Sequence, residues 1–202
     1  MKTPIAPSAV SRRGLLGLSL GFTLGMSLPQ VAIAQPDILA IIGKDNDLFP
    51  AWGTTDEPNW PAIDATVARV AEVHKRLAAR GIALVAPVLP SKKLFYADKL
   101  PAVDALTPEM LGRYAGIRDR LAAAGVPGFD VERLYRALQA NGEPVYYRTD
   151  QHWTQSAADA TAQATADLIH QLVPKLAGAA GTGLALGAIS KERRYGDLAE
   201  RF

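Results

Sequence analysis

Four times along this 202-residue chain a short apolar run gives way to a turn and then to a stretch whose apolar side chains recur every three or four positions. That alternation limits the possible folds more than any other feature of the sequence. Ile38–Ile42, Ile82–Val88, Val126–Phe129 and Val145–Arg148 are too short for helices, and several of their residues are β-branched, so they read as strands. Between and after them, Pro61–Arg80 carries Ile63, Val67, Val70, His74 and Leu77 on one helical stripe. Thr107-Pro108-Glu109 opens a second helix with Leu111, Tyr114, Ile117 and Leu121. Asp130 caps Val131–Ala140, and Thr154 caps a helix from Gln155 to Val173, stopped by Pro174. Gly81 and Gly125 stand where left-handed helix ends belong.

Strand–helix alternation of this kind predicts a three-layer α/β domain around a largely parallel sheet. Its chemistry is then expected in the loops after the strands. Those loops are Gly43–Phe49, Pro90–Lys93 and Thr149–Thr154. The Gly/Ala-rich stretch 177–188 reads as a flexible connection.

The first 34 residues follow other rules. Arg12-Arg13 precedes an uncharged, weakly hydrophobic stretch from Gly14 to Leu28, and Ala32-Ile33-Ala34 offers the small-x-small pattern of signal cleavage. The stretch is shorter than the roughly 20 apolar residues of a membrane span. Residues 1–34 are therefore read as an export signal of the twin-arginine type, cleaved near Ala34, which places residues 35–202 in the periplasm. A general secretory signal with a chance arginine pair, or an uncleaved tether, are the other readings.

Removing this segment changes the charge argument. The whole chain has 22 basic and 20 acidic residues; without Lys2, Arg12 and Arg13 the basic count falls to 19. No basic surplus remains to attract nucleic acid. With no cysteine, thiolate zinc sites, disulfides and cysteine nucleophiles are excluded. Three histidines, His74, His152 and His170, are too few for a histidine-rich metal cage.

Asp150 and His152 are the residues on which a chemistry can be built. Residues two apart in extended backbone share a face, so the carboxylate can reach back to imidazole Nδ1 and leave Nε2 to accept a proton. Spacing alone leaves two alternatives open: a surface histidine without a role, or an Asp-x-His metal pair, for which further ligands are lacking. His74 reads as a packed core residue and His170 as a cation at a helix C-terminus.

Five ordered boxes then carry a resemblance: Gly43-Lys44-Asp45-x-x-Leu48-Phe49, Val88-Leu89-Pro90-Ser91-Lys92, Lys99-Leu100-Pro101, Tyr147-Arg148-Thr149-Asp150-Gln151-His152-Trp153-Thr154 and Gly196-Asp197-Leu198. Together they resemble the alginate O-acetyltransferase family, the AlgX/AlgJ-type SGNH-hydrolase-like domains, over residues 38–202. Where that family's first box usually has Gly-Trp, this chain has Asn46-Asp47, which predicts a different turn.

The resemblance implies an SGNH-hydrolase-like fold and a Ser–His–Asp triad in which Asp150 and His152 are the acid and base. It implies a periplasmic O-acetyltransferase acting on hydroxyls of an exported, alginate-like polysaccharide. A membrane-bound acyl carrier would be its acetyl donor, with no cofactor and no metal. It places the nucleophilic serine beyond Phe202, so the domain is expected to be C-terminally incomplete. Ser91, which follows a strand, is the alternative nucleophile, ahead of Ser156 and Ser190. A carbohydrate acetyl esterase with the same machinery and a non-catalytic glycan-binding or scaffolding domain are the competing functions.

Overall fold

The structure, a computed structural model, describes residues 40–52, 56–176, 187–188 and 196–200. The export signal 1–34, most of the stretch 177–188, Ser190 and Phe202 lie outside the described residues. Strand β1 (Ala40–Ile42) turns through a single 3-10 turn at Lys44–Asn46 into β2 (Leu48–Pro50). The two pair antiparallel, with Ile41 opposite Phe49. Asp45 and Asn46 both take φ 58, a left-handed conformation that Asp and Asn tolerate better than most side chains. Gly43 is required for a different reason: a Cβ there would come within 2.6 Å of both the Lys99 carbonyl and the Phe49 ring.

Among the described residues five α-helices follow: α1 (Trp60–Ala78), the single turn α2 (Lys92–Phe95), α3 (Pro108–Ala123), α4 (Val131–Ala140) and α5 (Gln155–Leu172). Their starts are set by side-chain caps. Asn59 accepts from Ala62 N, Thr107 from Met110 N, Asp130 from Arg133 N and Thr154 from Ala157 N. Each cap satisfies an N–H that has no partner within its helix, an effect of about 1 kcal/mol. Gly81 and Gly125 follow α1 and α3 with φ of 73 and 74.

Among the described residues the core has three parts. Val67 of α1, Leu121 of α3 and Val126 pack together. Phe95, Tyr114, Val131, Tyr135, Val145, Tyr146 and Ala157 form the largest group, with the Phe95, Tyr135 and Tyr146 rings 5.7–6.1 Å apart. Tyr114 also accepts hydrogen bonds at its hydroxyl from Val131 N and Glu132 N, so it packs and caps α4 at once. Ala40, Leu48 and Leu198 make a third group, which anchors the segment 196–200 beneath β1 and β2.

The sheet departs from the sequence expectation. Among the described residues the sheet is two-stranded and antiparallel, not largely parallel. Ile82–Val88 and Val126–Phe129 do run side by side, and Ala86 N donates to the Pro127 carbonyl at 2.8 Å. Pro87 and Pro127 remove ladder donors at this point, so no continuous ladder forms. Val145–Arg148 does not lead straight into a helix either. It returns through a narrow reversal in which Tyr146 bridges Trp153, Tyr147 N donates to His152 O, and Thr154 N donates to Val145 O. The loop expected to carry chemistry is therefore the closed end of this reversal.

Candidate active site

Residues 148–151 form that closed end, and three elements hold it from below and beside. Leu48 N donates to the Arg148 carbonyl at 2.9 Å, which ties the reversal to the free edge of β2. Lys92, the first residue of α2, is 3% exposed and places its ammonium among four backbone carbonyls: Leu48 at 2.6 Å, Tyr147 at 2.7 Å, Arg148 at 2.8 Å and Asp150 at 3.2 Å. Burial pulls its pKa down to about 8, while the nearby Asp47 and Asp150 carboxylates oppose that fall. From the other side, the segment Gly196–Leu198 lies so close that a Cβ on Gly196 would collide with the Thr149 carbonyl oxygen.

In this frame Asp150 and His152 meet. His152 Nδ1 lies 2.6 Å from Asp150 Oδ1, and the same oxygen accepts from His152 N at 2.8 Å. The other carboxylate oxygen, Oδ2, accepts from Asp197 N at 3.1 Å. Burial acts to raise the Asp150 pKa, but the backbone N–H groups of His152 and Asp197 and the imidazole outweigh it and bring it to about 2. The pair is unequally placed: the Asp150 side chain is 20% exposed and that of His152 is 64% exposed. A fixed, ionised acid thus holds Nδ1 of an imidazole whose opposite side is open.

Asp197 is a second carboxylate at the same place. Its Oδ1 accepts from Gln151 N at 3.0 Å, its Oδ2 from Gln151 Nε2 at 2.7 Å, and Oδ2 lies 3.9 Å from His152 Nδ1. Donor atoms of Asp150, His152 and Asp197 fall within 4.8 Å of one another, close enough to consider a cation. Two ligand atoms bound at about 2.1 Å to one cation stand roughly 3 Å or more apart. At 2.6 Å, Nδ1 and Oδ1 are a hydrogen-bonded pair, and both Asp197 oxygens are engaged by Gln151. His74 on α1 and His170 in the last turn of α5 take no part in this group.

Beside the imidazole lies a cleft of about 400 Å³, walled by Trp52, Trp153, Tyr146 and Pro50 together with Ser91 and His152. Among the described residues Ser91 is the only serine that lines it, and its Oγ accepts from Lys93 N at 3.2 Å as the cap of α2. Ser156 is exposed in the first turn of α5.

Sequence reasoning singled out Asp150 and His152 but missed Lys92, Gln151 and Asp197 as their partners. The signals were present, since Lys92 and Asp197 both sit in boxes of the resemblance. Which main-chain groups they would touch depends on contacts 44 to 58 residues apart.

Comparisons with known proteins bear on this geometry. A family model described as SGNH hydrolase-like domain, acetyltransferase AlgX, matches residues 40–202. The chain is 32% identical over 150 residues to a protein named probable alginate O-acetylase AlgJ from Pseudomonas aeruginosa, covering 71% of this chain and 36% of that one. It is 32% identical over 110 residues to the alginate biosynthesis protein AlgX of Pseudomonas putida, covering 52% and 23%. The solved O-acetyltransferase domain of Pseudomonas putida AlgJ superposes with a TM-score of 0.64 at 22% identity, covering 81% of this chain and 58% of that one, which establishes the likeness of fold. The match thus spans about a third or less of the length of these two curated relatives.

Proposed function

This chain belongs to the family of SGNH hydrolase-like domains of the acetyltransferase AlgX type, and from that premise we propose that it moves acetyl groups onto hydroxyls of an exported, alginate-like polysaccharide. The observation that carries the reading is the 2.6 Å contact between Asp150 and an otherwise open His152 at the mouth of an aromatic cleft. Flat apolar faces beside a proton acceptor suit a sugar ring presenting a hydroxyl.

In the first half-reaction a serine Oγ attacks the acetyl carbonyl of the donor, and His152 Nε2 takes the hydroxyl proton. The imidazolium, held by Asp150, returns that proton to the departing donor group as the carbonyl–donor bond breaks. In the second half-reaction the sugar hydroxyl gives its proton to Nε2 and its oxygen attacks the acetyl-serine. The serine leaves with the proton, and an acetyl ester remains on the sugar. Asp150 stays ionised throughout and fixes the tautomer. The acyl-carrying serine is assigned outside the described residues, with Ser91 as the alternative inside the cleft.

The same reading makes the acetyl donor a membrane-bound acyl carrier, places the domain in the periplasm and takes residues 1–34 as a twin-arginine export signal. No helix among the described residues is long and apolar enough to cross a membrane. The extended segments through Ala86, Pro127 and Val145 are read as the places of parallel strands in a three-layer α/β sheet.

The test is to incubate the full-length protein with an activated acetyl ester and uronate oligosaccharides, then to measure acetyl esters on the sugar by mass spectrometry. Acetylated sugar that disappears in His152→Ala is the expected result. Ester hydrolysis without any transfer would replace this reading by the esterase one. A serine-directed phosphonate in the same experiment would place the acyl-carrying group, and label on Ser91 would move it there.

A further inference from the structure

Resting on the acyl-transfer reading, we propose that Asp197 is a positioning residue for His152, holding the Asp150–His152 pair from both flanks and adding a second negative charge behind the imidazole. The geometry separates three contributions. Its backbone N–H fixes Asp150 Oδ2 at 3.1 Å. Its carboxylate grips Gln151, the residue between acid and base, through both the backbone N–H and the side-chain amide. Its Oδ2 then lies 3.9 Å from Nδ1, where a negative charge favours the protonated ring.

A purely structural role would not need this carboxylate. Gly196 against Thr149 and the fully buried Leu198 against Ala40 and Leu48 already dock the segment. A carboxylate pointing instead at the turn that carries the base is placed to act on the base. When Nε2 takes a proton, the positive charge that forms on the ring is opposed by two carboxylates rather than one, so the charged state is reached at lower cost. Among the described residues, the other charged groups around this turn are Arg148 within it, Lys92 beneath it on α2 and, farther out, the Asp47–Lys99 ion pair. Lys92 acts in the opposite sense to Asp197, and the outer pair is internally neutralised.

The test titrates the three histidines of the full-length protein by NMR. Asp197→Asn keeps the backbone N–H and the side-chain shape, removes the charge, and turns one of the two oxygens that accept from Gln151 into a donor amide. The His152 midpoint is expected to fall in this variant, because the carboxylate charge 3.9 Å from Nδ1 is gone, while the resonances of His74 and His170 stay in place and report an intact fold. An unmoved His152 midpoint in a folded variant would overturn the proposal. Should Asp197→Asn not fold, the unmodified protein decides. Its Asp197 amide proton is expected to resist solvent exchange and to shift in step with His152, whereas free exchange with a flat shift would overturn the proposal. The midpoint shift does not depend on turnover. Its presence in a protein that transfers no acetyl group would therefore count against the acetyl-transfer reading while leaving the placement of Asp197 supported.

Discussion

The ammonium of Lys92 donates to the main-chain carbonyl of Asp150 at 3.2 Å, so the residue that orients His152 is itself held by a buried cation 58 positions earlier in the chain. Three N–H groups serve four carbonyls there, and neutral carbonyls, rather than an ion-paired carboxylate, solvate the charge. Replacing Lys92 by methionine keeps the stem and leaves those carbonyls without a donor. The expected loss is about 3 kcal/mol or more of unfolding free energy, since each unsatisfied buried acceptor costs roughly 1–3 kcal/mol. Denaturant unfolding measures it, and a variant as stable as the parent protein would contradict the clasp.

Asp150 supplies a prediction about acid. Its folded pKa, about 2, lies below the ordinary carboxylate value, so its ionised form stabilises the fold. That contribution is complete above about pH 4 and is lost as pH falls through about 2. Asp150→Asn is therefore expected to flatten the fall of stability between pH 4 and pH 2, measured by urea unfolding at each pH. An equally steep fall in the variant would show that Asp150 is not held in this way.

Lys93 behaves oppositely to its neighbour. It is fully buried, and its ammonium has no hydrogen-bond partner among the described residues. Burial lowers its pKa to about 8, with Asp104 and Asp56 opposing. Between about pH 8 and its ordinary value near 10.4, the unfolded chain holds the proton that the folded chain has released, so stability rises with pH across that window. Lys93→Met is expected to be more stable than the parent at pH 7, by about 1 kcal/mol, and to rise less between pH 8 and pH 9.5, below the range of tyrosine ionisation. Lower stability of the variant at pH 7 would mean that the amine has a partner in solution.

What the sequence made legible were features set by neighbours along the chain. Thr107, Asp130 and Thr154 cap the helices they were expected to cap, and Gly81 and Gly125 take the left-handed conformation that helix ends need. The approach of Asp150 to His152 was readable from their two-residue spacing, although it is made across the bend at 150–152, where Asp150 Oδ1 also accepts from His152 N, and not in the extended backbone expected. Lys92 and Asp197 were not readable in these roles, since their partners are main-chain groups brought near only by the tertiary fold. The ladder pairing of the sheet was not readable, because apolar β-branched runs report burial rather than pairing, and Pro87 and Pro127 interrupt the pairing at Ala86.

Export is testable apart from the chemistry. The Arg12-Arg13 pair ahead of a weak apolar stretch is proposed to direct the chain through the twin-arginine route. Changing both arginines to lysine should leave precursor in the cytoplasm, as immunoblotted cell fractions would show. Mature protein outside the cytoplasm at normal levels would remove the twin-arginine assignment.

The central claim is that the Asp150–His152 pair drives acetyl transfer to an exported polysaccharide. It is tested most directly in the cell that makes the polymer, with the chromosomal gene altered to His152→Ala or Asp150→Asn and the protein level checked by immunoblot. The measurement is the O-acetyl content of the purified exported polysaccharide by NMR. The account predicts that His152→Ala lowers it to the level of a gene deletion, and that Asp150→Asn slows transfer by about 10²–10⁴-fold and so lowers it as well. Acetyl content unchanged in both variants, or raised as loss of an esterase would raise it, would contradict the account.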